Sequence, residues 1–245
     1  MNYYEPKRKT FIEKVVEECL PNQENFLYGY ADLKDLVSSK YASNPYVIII
    51  GKKLEDKIVN KIASSPTLEY SNHYLAINDE LSNIANQIAS QLKKKSIETL
   101  IIPPTVSSDW ICKQIKGECR IRYDFSHKLA ATRAGLGWIG KTDLLITFKF
   151  GPRVRLISIL IDEPLHPNSE PVTKSQCGRC NLCVNACPAN AANGVSWTAL
   201  IDRDEFFDPL KCWEYSKSIS KKMKFEEGNK SVCGKCVSVC PYGKK

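Results

Sequence analysis

The chain has 245 residues, 35 Lys and Arg against 27 Asp and Glu for a formal charge of +8, 43% apolar residues and 11 Cys. That length holds a sizeable core in one domain or two tightly joined ones, and the composition excludes a disordered or fibrous protein. No run approaches the roughly 20 apolar residues of a membrane span, and residues 1–9 lack the apolar stretch of a signal peptide. A cytoplasmic protein with no membrane partner is therefore expected.

Phe11, Ile12, Val15, Val16, Cys19 and Leu20 share one helical face, which predicts an amphipathic helix over 10–20. Residues 46–50, apolar and β-branched, read as a buried strand ended by Gly51. Leu81, Ile84, Ile88 and Leu92 repeat at three and four residues, giving a second helix that ends in Lys93, Lys94 and Lys95. A strand over 99–102 stops at Pro103 and Pro104, and a third helix covers 126–134 before a glycine-rich turn. Strands over 143–148 and 154–161 are expected to form a hairpin about Gly151 and Pro152. Helices alternating with strands, then a Cys-rich stretch, predict an α+β fold. Its parts are an α/β-type sheet domain over 1–165 and a bacterial-ferredoxin-like two-cluster module over 166–245, joined at 163–175.

Eight of the 11 Cys follow residue 176. Cys177, Cys180, Cys183 and Cys187 are spaced x2, x2 and x3 with Pro188 behind them. Cys233, Cys236 and Cys240 repeat the pattern with Pro241, and Cys212 stands between the runs. In a reducing compartment such clusters mean metal or catalysis rather than disulfides. The spacing is that of bacterial ferredoxins, where three Cys wrap one cubane and the fourth crosses to the other; zinc ribbons use paired C-x2-C motifs instead. Counting assigns Cys177, Cys180, Cys183 and Cys240 to one [4Fe-4S] cluster. Cys187, Cys212, Cys233 and Cys236 form the other. Cys19, Cys112 and Cys119 are expected to be buried small hydrophobes.

Residues 135–142, Gly-Leu-Gly-Trp-Ile-Gly-Lys-Thr, satisfy two phosphate-loop patterns, and the run from Ile157 to Asp162 imitates a magnesium-binding strand. Phosphate loops need a strand before and a helix after. Here the expected order is reversed, so nucleotide binding is not predicted.

The segment at 134–141 resembles the A-G-L-G-W-I-G-K signature of epoxyqueuosine reductases, relatives of the corrinoid-dependent reductive dehalogenases. The likeness continues through Cys177 to Pro188, Cys212 with Tyr215, and Gly228 with Asn229 before the second Cys run. It implies a nitroreductase-like sheet domain and a base-off cobalamin held between the domains. The two clusters would feed the cobalamin electrons from a low-potential donor such as ferredoxin or flavodoxin. The implied substrate is a small or nucleoside-like molecule. Gly135, Gly137, Trp138, Gly140, Lys141 and Thr142 would line the cobalamin, and Arg153, with its neighbour Arg155, would meet an anionic part of cofactor or substrate. No D-x-H-x-x-G lower-ligand motif occurs. The family places a proton-donating Asp in a V-D-S-x-P segment; the corresponding stretch here, 101–105, has none. Asp124 and His127 are the candidates for proton transfer, with a helix cap and a structural histidine as their plain readings, and Tyr74 is a third possible donor. The chain stops at Lys245, where the family continues into helical repeats that help hold tRNA, so tRNA is not an expected partner. A non-enzymatic ferredoxin-like electron-transfer protein is the alternative. Nine Lys and three Glu in 211–245 leave +6 there. Cubanes of about −2 each would offset much of the chain's positive charge, which weakens the case for nucleic acid.

Overall fold

A computed structural model of the chain describes residues 9–105, 111–115, 118–167, 169–223 and 232–243; within 111–119 it describes the backbone only. The expectations for Cys112, Cys119, Gly228 and Asn229 lie outside the described residues or their described side chains. Among the described residues no helix is long and apolar enough to cross a membrane.

The core is a four-stranded antiparallel sheet in the order β1 (Phe26–Asp32), β2 (Tyr46–Lys53), β8 (Val154–Ile161), β3 (Thr99–Ile102). The two central strands are buried on both faces, because alternate side chains of each serve opposite cores. Ile48, Ile50, Ile157, Ile159 and Ile161 meet helices α1 (Phe11–Cys19) and α3 (Leu68–Lys93). Val47, Ile49, Leu156 and Leu160 meet α4 (His127–Arg133) on the other face. Each fully buried Ile contributes roughly 1.5–3 kcal/mol over exposure.

Helix α1 begins at a capping box, Thr10 accepting from the Glu13 amide while Glu13 accepts from that of Thr10. Cys19 packs half-buried against the core above it. Helix α3 starts 13 residues before Leu81, capped by Thr67; its first turns, which carry Tyr70, Tyr74 and Asn78, are too polar for periodicity to show. A short α2 (Asp56–Lys61) precedes it, and a separate hairpin joins β4 (Ile111–Ile115) to β5 (Glu118–Arg122).

The expected hairpin between 143–148 and 154–161 does not form. Strand β7 (Leu145–Thr147) pairs with β6 (Gly137–Ile139), and β8 pairs with β2 and β3. A tight loop joins Thr147 and Gly151 and releases the chain towards the main sheet. The glycine-rich stretch thus holds a short strand between turns: a helix precedes it and a strand follows, the reverse of a phosphate loop. The Cys-rich module carries α5 (Leu182–Asn185), α6 (Pro209–Lys222) and α7 (Lys235–Val239). Arg153 fastens it to the sheet domain. With 1% of its surface exposed, this side chain donates to Asp56 at 2.6 Å, Asn60 at 2.8 Å and the Ser238 carbonyl at 3.4 Å.

Candidate functional site

The eight clustered Cys fall into two groups of four. One cavity is lined by Cys177, Cys180, Cys183 and Cys240, and Cys240 interacts electrostatically with the other three. A second is lined by Cys187, Cys212, Cys233 and Cys236. Cys236 also touches the first cavity, but among neighbouring thiols Cys212 and Cys233 act on it most strongly. Burial pushes the Cys240 and Cys212 thiols up to about 11, and the neighbouring thiols add to it. Such crowding of buried, potentially anionic sulfur is costly unless cations occupy the centre. No three described His, Cys, Asp or Glu side chains converge on a single-ion site; the thiols ring two cavities, a donor set that fits two cubanes.

The glycine-rich signature builds the wall of the first cavity. Trp138, 1% exposed, donates its indole N–H to Cys177 Sγ at 3.3 Å. Thr142 hydrogen-bonds Cys183. Buried Lys141 donates to the Gly178 carbonyl at 3.1 Å and Asn181 Oδ1 at 2.7 Å, within the loop that carries these Cys. The glycines permit close approach of chain to chain. A Cβ on Gly137 would stand 2.1 Å from the Ile146 carbonyl oxygen; Gly135, at φ +71°, would put one 2.5 Å from Ser169 Cβ. The structure thus directs Gly135, Gly137, Trp138, Gly140 and Lys141 towards strand β7, residue 169 and the first Cys cavity. Thr142 lines both cavities, and Arg155 lines the second. Arg153 is engaged inside the protein.

The second Cys group opens onto a cavity of about 370 Å³ that is also walled by Tyr74, Asp143 and Arg155. These three residues equally line a neighbouring cavity of about 520 Å³, with Tyr123, Phe125, His127, Lys128, Arg122 and Trp213 around it. Together they make a cleft from cysteine sulfur to the surface. Thr105 organises its wall. Its hydroxyl lies 3.0 Å from Tyr74 Oη and accepts from Asn78 at 3.2 Å and Arg155 at 3.0 Å. The Arg155 guanidinium stacks 3.9 Å from the Tyr74 ring centroid. Asp143 adopts a left-handed backbone (φ 56°) and is ion-paired with Lys128.

The two residues expected to move protons are placed differently. Asp124 pairs with Lys40 at 3.8 Å and lines neither cavity. It does not cap α4 either: Ser126 accepts from the Leu129 amide there. His127 lines the larger cavity, but Nε2 donates to the Pro103 carbonyl at 2.9 Å and Nδ1 accepts from the Ser158 hydroxyl at 2.8 Å. Burial, with the nearby Arg155 charge, pushes its pKa down to about 4 against the pull of the Pro103 carbonyl. It is neutral with both nitrogens engaged.

Fold and site define an α+β iron–sulfur protein whose cysteine module is packed onto a sheet domain. Residues 176–243 match the 4Fe-4S double cluster binding domain family. In sequence the chain is 37% identical over 117 residues to an epoxyqueuosine reductase of Vibrio cholerae, covering 46% of this chain and 30% of that protein. It is 31% identical over 125 residues to the tetrachloroethene reductive dehalogenase of Dehalobacter restrictus, covering 46% and 21%. Among solved structures, 96% of the chain superposes on 31% of a reductive dehalogenase described for B12-dependent dehalogenation, at TM-score 0.67 and 17% identity. An epoxyqueuosine reductase solved with a modified tRNA-Tyr stem loop gives TM-score 0.60 at 16% identity over 94% of this chain and 64% of that one. The chain is similar in sequence to epoxyqueuosine reductases and reductive dehalogenases over about half of its length, shares their fold, and spans about 30% of the epoxyqueuosine reductase it matches in sequence.

Proposed function

We propose that the chain is an iron–sulfur reductase in which two [4Fe-4S] clusters serve a base-off cobalamin, acting on a small or nucleoside-like substrate. The observation that carries this reading is the shared wall: the second Cys group and Tyr74, Asp143 and Arg155 line one cavity, which continues into a larger one. Cys177, Cys180, Cys183 and Cys240 hold the first cluster; Cys187, Cys212, Cys233 and Cys236 hold the second. When bound, the clusters supply single electrons and the corrin cobalt a strongly reducing centre.

The protein's own groups do the rest. Tyr74, held by Thr105 at the junction of the two cavities, offers a hydroxyl proton to a substrate there. Arg155 presents positive charge to the same space and offsets negative charge that develops on reduction. Lys128 fixes Asp143 at the threshold. Thr105 lies in the stretch where the resembled family carries its Asp, and it holds Tyr74, the hydroxyl that lines both cavities.

Anaerobic reconstitution with iron and sulfide, incubation with cob(II)alamin and desalting test the proposal. About eight iron and one cobalt per chain are expected. Iron without cobalt would favour an electron-transfer protein instead.

A further inference from the structure

Trp138 comes from the sheet domain yet hydrogen-bonds a cysteine of the other module. Its indole N–H has no other acceptor among the described residues, and a buried indole N–H requires one. Its plane is fixed on both sides: the Tyr242 ring meets it edge-on at 4.9 Å, and the Phe148 ring lies tilted at 5.4 Å. Gly137 allows β6 to sit tight enough on β7 to bring the indole there. From one short segment Trp138 and Thr142 thus reach Cys177 and Cys183, and Lys141 reaches Gly178 and Asn181 of the same cysteine loop.

We infer that Trp138 sets the reduction potential of the first cluster by donating to the Cys177 sulfur; this rests on the cluster assignment proposed above. One electron taken up from a donor makes a four-thiolate cubane more negative by one charge, and the added charge is shared with the ligand sulfurs. A donor aimed at sulfur is charge-assisted and binds the reduced form more strongly than the oxidised one. The N–H therefore raises the potential, and the buried Lys141 ammonium beside the same loop acts in the same direction. Trp138 is a positioning residue. It touches a ligand, not substrate.

The test is a mediated dithionite titration of the reconstituted protein, followed by EPR. The signal that survives in Cys212→Ala identifies the first cluster. Trp138→Phe is expected to move that potential to a more negative value and to leave the second unchanged. Unchanged potentials, or equal shifts of both, would overturn the inference. If Trp138→Phe takes up no iron, native sequence carrying ¹⁵N-indole tryptophan decides the matter: pulsed EPR of the reduced protein should show an indole ¹⁵N coupling, and its absence would refute the bond. Neither experiment needs a corrinoid, so failure to bind cobalamin would not touch this result.

Discussion

The two cysteine cavities each draw on both cysteine runs, the second also on Cys212, yet they are walled by different things. The first is sealed by the sheet domain: Gly140, Thr142, Leu144 and Ile146 form its wall, with Trp138 bonded to Cys177. The second opens onto the cleft of Tyr74, Asp143 and Arg155. Equal ligand chemistry is thus given unequal surroundings.

The most drastic way to break the symmetry is Cys212→Ala. It removes a ligand from the open cavity only, and iron analysis should fall from about eight to about four per chain. Gly137→Ala attacks the sealed cavity. Its Cβ would stand 2.1 Å from backbone oxygen, so β6 must leave β7; a loss of about 3 kcal/mol in denaturant unfolding is expected, with the first cluster's signal lost before the second's. Asp56→Ala strips the buried Arg153 of its ion pair. Against the opposing effect of burial, Lys53 and Arg153 hold the Asp56 carboxyl below its usual range. Because Asp56 is partly exposed, the expected cost is about 2–3 kcal/mol, read as a lower thermal midpoint with both clusters affected alike.

The smallest effect is confined to the cleft. His127 has its pKa depressed from 6.5 to about 4 on folding, so the unfolded chain takes up a proton first as pH falls. Its contribution to stability is complete above about 6.5 and declines from there towards 4. Urea midpoints between pH 7.5 and 5.5 should fall more steeply for the native sequence than for His127→Gln, with iron content equal. Parallel slopes would contradict the assignment.

Much of this was legible in the residues because it rests on local spacing. The two cysteine runs needed no knowledge of the fold, and the eight clustered Cys line two adjoining cavities, Cys236 touching both. The helix at Phe11–Cys19 and the strands at 46–50 and Val154–Ile161 are equally local. Pairing was less legible. Gly151 and Pro152 looked like a hairpin turn, but β7 finds its partner in β6, where three glycines hid a strand. The glycine-rich signature also does what its spacing does not show: Gly135 and Gly137 clear space for neighbouring chain, and its Trp and Lys serve a cysteine loop about 40 residues away. Strand β1 gains its place from sheet pairing with β2. Tyr74, Thr105 and Arg155 converge from three distant segments with no shared periodicity, and only folding brings them to one cleft.

The central claim is that the open cysteine cavity faces a corrinoid. EPR-monitored titration of the reconstituted protein with cob(II)alamin tests it most directly. Conversion of the base-on to the base-off signal at micromolar protein is the result this account predicts. A signal that stays base-on, with both clusters intact, would contradict it.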